Sequence, residues 1–411
     1  MRKILQINTV AVNGSTGRIS EGIGDAAIAR GYDSYIAYGR GNPSKSSSSL
    51  IKIGNNVSVI NHILHTRLFD KQGLCSYLST RTLVEEIEKL QPSIVHLHNL
   101  HGNYLNYKIL FNYLAESDIP VVWTIHDCWP ITGHCVHFTA VDCEKWKRGC
   151  EKCPRLSGYP KSIFLDRSKK NYIDKKEAFT SLNKMFIVPV SKWLEDVLKD
   201  SFLGGYDINY IHNGIDVDKF YPRKDDVKRT KSIYGFNDKF VILGVATGWS
   251  QDNGLYDFIE LRKHLSDDYL IVLVGVTPTL KKNLPDGIIG IERTDSIDEL
   301  AAIYSSVDIF INGSKEETFG LVTAESMACG TPVIVYDSTA CSEIVTDETG
   351  YVVEVGDLNA VIAAIKSHQN LPAEIKSNMS EHCSDYVHRH FRKEDKYHEY
   401  VDLYDRILAC K

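Results

Sequence analysis

Two glutamates, Glu317 and Glu325, flank the stretch 318–324. The apolar run Ile309–Asn312 ahead of them reads as a strand, and 321–329 reads as a helix that stops at Gly330, with Pro332 preventing its continuation. A helix starting there leaves its first amides, around residues 319–322, without intrahelical acceptors and turns the positive end of its dipole toward them. That is an anion site, suited to a phosphate or diphosphate. Glu325 lies one turn inside, about 6–8 Å along the axis at 1.5 Å per residue, so the two carboxylates can bracket one elongated ligand. Neither acid belongs beside a phosphate unless it bonds a hydroxyl, so the expected ligand is a diphosphate between two polyols.

Three further constellations carry chemistry. Gly14 and Gly17 sit in a turn between a strand over 3–7 and a helix over 19–30, where glycines let backbone approach a ligand closely or simply make a tight turn. His126-Asp127 follows the run Val121–Ile125, and His96, His98 and His101 follow or end the run 94–98. These histidines read as hydrogen-bonded structural residues or as lining of a binding region. Cys135, Cys143, Cys150 and Cys153 form a C-x7-C-x6-C-x2-C series, which in a reducing compartment fits a tetrahedral structural zinc site, with Cys128 and His134 as substitutes. Four unrelated thiols are the alternative. Between 145 and 184 basic residues outnumber the acids Glu151, Asp166, Asp174 and Glu177; the stretch is either a solvated face or one drawn to an anionic leaflet or a lipid-diphosphate acceptor.

The elements that must position these groups are short apolar runs, each followed by a Gly-, Ser- or Asn-bearing loop and a helical segment, with near-continuous hydrophobicity such as strands buried on both faces of a parallel sheet show. The pattern occurs twice, giving two doubly wound, Rossmann-like α/β domains facing across a cleft, with ligands at the strand C-termini. The 411 residues admit two or three domains. The polar stretch 223–238 puts the hinge near 220, so the domains are 1–220, with a Cys-rich excursion over 128–153, and 221–393. A last helix within 394–411 carries Tyr397, Tyr400, Val401, Tyr404 and Leu408 on one face and must dock. The serines at 46–49 read as a solvated loop tip. A net charge of −6 leaves no nucleic-acid footprint. The longest apolar run, 269–276, is too short to span a bilayer, and Gln6 and Asn8 interrupt the N-terminal run, so no signal peptide is expected and the chain is placed in the cytoplasm.

Glu317-x7-Glu325 within EETFGLVTAESMACGTPVI resembles the signature of the retaining GT-B glycosyltransferases of family 4, and the likeness extends to Ser191 with Trp193, to IHNGID at 211–216, to Leu273-Val-Gly275 and to Gly350-Tyr-Val-Val353. HLHNLHGNYLNY, TIHDCWPITGHC and the CxxCP segment are similar to a subgroup tied to bacterial exopolysaccharide such as colanic acid. The resemblance implies a hexosyltransferase moving sugar from a nucleoside-diphosphate donor, UDP- or GDP-linked, to a glycan or lipid-linked oligosaccharide with retention. It implies no catalytic metal, a C-terminal helix crossing back to the first domain, and peripheral contact with the inner face of the membrane.

Residue by residue, it implies that Glu325 binds ribose hydroxyls, Glu317 the donor-sugar hydroxyls, and the amides of Phe319, Gly320 and Leu321 the diphosphate. Gly14 and Gly17 border that diphosphate, and His126 touches the donor sugar. One feature departs from the family: by spacing, Gly248 and Asn253 stand where an Arg and a Lys neutralise the diphosphate. Asn253 is then expected over the phosphates, with Arg293 among the cations supplying charge from elsewhere. The rival readings are a catalytically impaired nucleotide-sugar binder and an isomerase like the nucleotide-sugar 2-epimerases.

Overall fold

The computed structural model describes residues 2–236 and 239–409; Met1, positions 237–238 of the polar stretch and positions 410–411 of the terminal helix segment lie outside the described residues. The chain divides into two compact units, Met1–His212 with Glu394–Lys411, and Asn213–Lys393.

The first unit is built on seven strands: β1 (Lys3–Val10), β2 (Asp33–Arg40), β3 (Ser49–Lys52), β4 (Ile94–Leu97), β5 (Val121–Ile125), β6 (Met185–Pro189) and β7 (Asp207–Ile208). They lie in the order β3-β2-β1-β4-β5-β6-β7, and every described pairing is parallel. The second holds β8 (Phe240–Val245), β9 (Tyr269–Val274), β10 (Ile288–Ile291), β11 (Ile309–Asn312), β12 (Val333–Tyr336) and β13 (Gly350–Val353), again parallel, in the order β10-β9-β8-β11-β12-β13. Each is a doubly wound sheet whose strand order reverses beside its first strand, between β1 and β4 and between β8 and β11. Ligands of such sheets bind at that reversal, beyond the strand C-termini.

Buried-on-both-faces strands explain the sequence pattern. All residues of β5 (VVWTI) and β9 (YLIVLV) are buried. Strand β2 (DSYIAYGR) escapes a hydrophobic reading because its buried Ser34 hydroxyl is paired with Ser48 at 2.8 Å. That pairing also corrects the reading of 46–49 as a solvated tip. Ser46 Oγ and the Ser47 amide donate to the Glu21 carboxylate at 2.6 and 2.9 Å, Ser48 is buried, and Ser49 opens β3.

The helix Lys393–Ala409 packs on the first unit, where Tyr397, Tyr400, Val401, Tyr404 and Ile407 join Ile4, Ile19, Ile23, Val122 and Val188 in one core. Each such side chain contributes about 1.5–3 kcal/mol relative to exposure. Arg30 ties the helix rim through Asp402 and Asp405, both at 2.9 Å, but these exposed pairs add little. The division between units falls at 212/213 and not near 220. The Ile215 amide donates to Phe391 O at 2.6 Å, the Lys393 amide to Ile215 O at 3.0 Å, and Phe220 packs edge-on to Tyr304, so 213–220 belongs with the second unit.

Candidate active site

In the second unit the loop after β11 runs into the helix Leu321–Ala328 through Gly320, whose φ of +90° is a left-handed conformation suited to glycine. The Gly320 and Leu321 amides donate to no protein group among the described residues. They are the bare amides of a helix start at the strand-order reversal. Asn312 holds the turn: its amide donates to Thr323 Oγ1 at 2.9 Å and its carbonyl accepts from the Ser314 amide at 3.0 Å. Thr339 Oγ1 accepts from the Glu317 amide at 2.9 Å, and Glu317 O accepts from Ala340 N, which fixes the backbone of the first acid.

Both acids are partly buried, so neither is a fully solvated helix face. Burial raises the Glu317 carboxyl to about 7, against hydrogen bonds from Ser314 and Asn312 that favour the ionised form. Such a group exchanges between donor and acceptor near neutral pH, which suits a partner hydroxyl. Glu325, one turn along the helix, receives a long hydrogen bond of 3.5 Å from the buried Tyr304 hydroxyl, a partner that spacing alone did not reveal.

The loop after β8 meets the loop after β11 backbone to backbone. Gly254, at φ +84°, has space for no side chain, since a Cβ would stand 2.6 Å from Gly313 O, and the Lys315 amide donates to Asp252 O at 2.9 Å. The structure does not leave Asn253 facing outward: its carbonyl accepts from the Ser250 amide at 2.7 Å and its amide donates to Gly248 O, so both ends brace its own turn. Trp249 likewise turns inward, donating to Val274 O at 2.9 Å. Arg293 is exposed beyond β10, the edge strand two places from β8. Lys315 is the cation sequence reasoning passed over. It lies two residues before Glu317 on the segment joining both loops, and its nearness in sequence to the acid was the available signal.

In the first unit, Gly17 is fixed by close packing, because a Cβ there would meet the backbone of Ala11 and Val12 at 3.2 Å; Gly14 opens the helix Gly14–Ala29 at φ +72° and is exposed. His126 is partly buried after β5. Its Nε2 lies 3.1 Å from His98 Nδ1, and His98 Nε2 lies 3.0 Å from Gln6 Oε1. Gln6 donates its amide to Ser20 O at 2.7 Å, which orients its carbonyl toward His98. The network therefore assigns Nε2–H donors to both histidines, running His126 to His98 to Gln6. Burial lowers His126 to about 4 and His98 well below its ordinary range, so both are neutral at neutral pH. His96 and His98 are fully buried, and His98 lines a small cavity together with His101, His126 and Trp129. His96 is bonded to Tyr404 Oη at 2.6 Å and Thr124 Oγ1 at 2.7 Å. His101 Nε2 pairs with Asp127 at 2.7 Å.

Cys135, Cys143, Cys150 and Cys153 line one small pocket of the first unit together with His134. Two cations of the 145–184 stretch, Arg167 and Lys170, pair with Asp174 at 2.8 and 3.1 Å, as does Lys108 at 2.7 Å, and Lys175 is buried against Trp129 O and Thr132 O.

The chain resembles known proteins along nearly its whole length. Residues 18–219 match a family described as Glycosyltransferase Family 4, and residues 239–369 one described as Glycosyl transferases group 1. A relative, WcaC of Escherichia coli (strain K12), named for glycosyl transfer in colanic acid biosynthesis, is 27% identical over 366 residues, spanning 84% of this chain and 86% of its own. Sucrose-phosphate synthase from Thermosynechococcus elongatus superposes with a TM-score of 0.73 at 17% identity over 100% of both chains. Anabaena HepE in complex with UDP-glucose does so with a TM-score of 0.67 at 12% identity, over 98% of this chain and 100% of its own. At those identities the structures speak for the fold, GT-B. With a family match on each unit, the chain is a member of the family-4 type glycosyltransferases of polysaccharide or glycan biosynthesis.

Proposed function

We propose that the protein transfers a hexose from a nucleoside-diphosphate sugar to a glycan or lipid-linked acceptor with retention of configuration. The observation that carries this reading is the pair Glu317 and Glu325 set around the bare Gly320 and Leu321 amides at the strand-order reversal of the second sheet. Amides there hold the diphosphate, Glu325 the ribose hydroxyls and Glu317 the hydroxyls of the donor sugar. Lys315 is read as the cation replacing part of the charge missing at Gly248 and Asn253. The UDP-glucose bound to HepE supports a donor of this class. In this reading the leaving diphosphate takes the acceptor proton on the face it departs from, which retains configuration and needs no metal. The first unit is assigned the acceptor, and its His126 is read as touching the donor sugar. An exposed apolar row on the helix Asn56–Phe69, Val57, Ile60 and Leu64, supports a lipid-linked acceptor presented at a membrane surface.

Calorimetry with UDP- and GDP-sugars, paired with a donor-hydrolysis assay and NMR of the released anomer, tests the proposal. Binding of one donor series, slow release of the retained anomer, and a loss of affinity of about 10–100-fold in Glu325→Gln support it. No binding of any nucleoside diphosphate sinks it. Binding without turnover moves the protein to a sugar-nucleotide binder, and an epimerised nucleotide sugar to an isomerase.

A further inference from the structure

The Cys-rich excursion of the first unit converges on a pocket that the transfer chemistry does not use. Cys135, Cys143, Cys150, Cys153 and His134 all line it, and it is walled by Trp146 stacked on Phe138 at 5.0 Å. The Cys135 and Cys153 thiols act on each other electrostatically, and Cys150 lies within electrostatic reach of both. His134 is fully buried, and its Nδ1 stands 2.7 Å from the Asp70 carboxylate. Its other nitrogen, Nε2, is buried without any hydrogen-bond partner. A buried imidazole backed by a carboxylate, presenting a bare nitrogen among thiols, is the arrangement of a metal-ligating histidine with its outer-shell acceptor.

The backing is extensive. Gln72 and the Arg167 amide also donate to Asp70, at 2.7 and 2.9 Å, and the Asn171 amide donates to Asp70 O at 2.8 Å. His134 Nδ1 also lies 2.7 Å from the amide nitrogen of Gln72; a carboxylate can only accept, so with the Nδ1 proton directed to Asp70, Nε2 keeps its lone pair.

We propose that this pocket binds a structural zinc ion through Cys135, Cys150, Cys153 and His134 Nε2, with Cys143 lining the same pocket outside the ligand set. No trio of His, Cys, Asp or Glu groups among the described residues yet stands at metal-donor spacing, so binding draws the excursion closed around the ion. Soft thiolates with one imidazole in a tetrahedral set select zinc. Three thiols must lose their protons to bind, so uptake releases protons and weakens as pH falls. The ion then joins the 128–153 excursion to Asp70 at the end of the helix Asn56–Phe69.

The test is metal analysis of the full chain purified under reducing conditions, with the absorption spectrum of the cobalt-substituted protein. The expected result is about one zinc per chain, a cobalt spectrum with tetrahedral and thiolate bands, and a lowered thermal midpoint after chelation. Cys153→Ser and His134→Gln lose the metal, whereas Cys143→Ser keeps both stoichiometry and spectrum. Asp70→Asn, which keeps the side chain's size, lowers zinc affinity about 10–100-fold. If His134→Gln disturbs folding, Cys153→Ser, at a half-buried position, still reports on metal binding. Substoichiometric zinc with freely titrating thiols, or a Cys135 to Cys153 disulfide without metal, overturns the proposal. Retention of zinc by His134→Gln with its loss in Cys143→Ser overturns the ligand assignment.

Discussion

The histidine chain at the ends of β4 and β5 and the carboxylate loop after β11 occupy equivalent places in two sheets of the same topology, yet they are built on opposite principles. The first is closed upon itself: His126, His98 and Gln6 end on Ser20 O, and His96 is capped by Tyr404 and Thr124. The second is left open, with bare amides at Gly320 and Leu321 and with Glu317 desolvated and no cation paired to it in the described contacts. A satisfied polar network rigidifies, while an unsatisfied one is poised for a ligand. The contrast sets a first site whose polar groups satisfy one another beside a second that presents unsatisfied donors.

The sharpest way to break that contrast is Glu317→Gln. If the open loop carries the chemistry, this isosteric change lowers kcat/KM by about 10²–10³-fold, the loss typical of one transition-state-stabilising group, and leaves the melting temperature within a few degrees. His98→Gln should do the reverse, lowering stability by about 1–3 kcal/mol through broken buried bonds while costing less in turnover. Steady-state kinetics and thermal melts on both variants decide it; equal kinetic losses would erase the distinction.

The two sites also titrate in opposite senses. His126 is lowered to about 4 and His96 to about 3 from an ordinary 6.5, so between those values the unfolded chain binds protons that the fold refuses. Stability from the histidines is complete above about pH 6.5 and is lost as pH falls through the folded values, by at most about 3 kcal/mol for His126 and about 5 kcal/mol for His96. Glu317, raised to about 7 from 4.5, keeps its proton longer in the fold, so its contribution is present below 4.5 and fades as pH rises through about 7. Hydrogen-exchange protection between pH 4.5 and 7.5, corrected for intrinsic rates, should rise with pH in peptides covering β4 and β5 and fall in peptides covering 309–328. Parallel trends would show that the carboxyl is not held protonated.

What the sequence made legible follows from where physical demand is local. Strands buried on both faces, such as β5 and β9, announce themselves as apolar runs, and the helix stop at Gly330 and the acids at 317 and 325 are short-range patterns. Strand β2 was invisible because Ser34 is satisfied by Ser48 across the fold, and the serines at 46–49 were misread because Glu21, far back in the chain, receives them. The closed histidine network depends on Gln6, 92 residues from His98, and on Tyr404, 308 residues from His96. Spacing singled out Gly248 and Asn253 as positions without the expected cations. It could not show that Asn253 spends both polar ends on its own turn.

Gly254→Ala probes how tightly the open site is braced. A left-handed φ costs a Cβ-bearing residue about 1–2 kcal/mol, and the added carbon would stand 2.6 Å from Gly313 O. Stability should fall by about 2 kcal/mol or more, with donor affinity falling alongside because the loops after β8 and β11 separate. Loss of stability with donor affinity intact, by denaturation and calorimetry, would show that the β8 loop does not shape the donor site.

The smallest effect asks whether the open site lacks only charge. Gly248 is exposed, its φ lies outside the left-handed region, and a Cβ there meets nothing within 4 Å, so Gly248→Arg introduces a guanidinium without displacing anything. A cation reaching the diphosphate should tighten nucleoside-diphosphate binding about tenfold, or ~1.4 kcal/mol, less than a buried donor gives because solvent screens an exposed charge. Nucleoside monophosphate affinity should barely change. Asn253→Lys, though it adds the same charge, removes the braces on Ser250 and Gly248 and should gain less. If Gly248→Arg strengthens monophosphate and diphosphate binding equally, the added charge acts at long range, and the site's phosphate contacts are complete through the helix amides and Lys315.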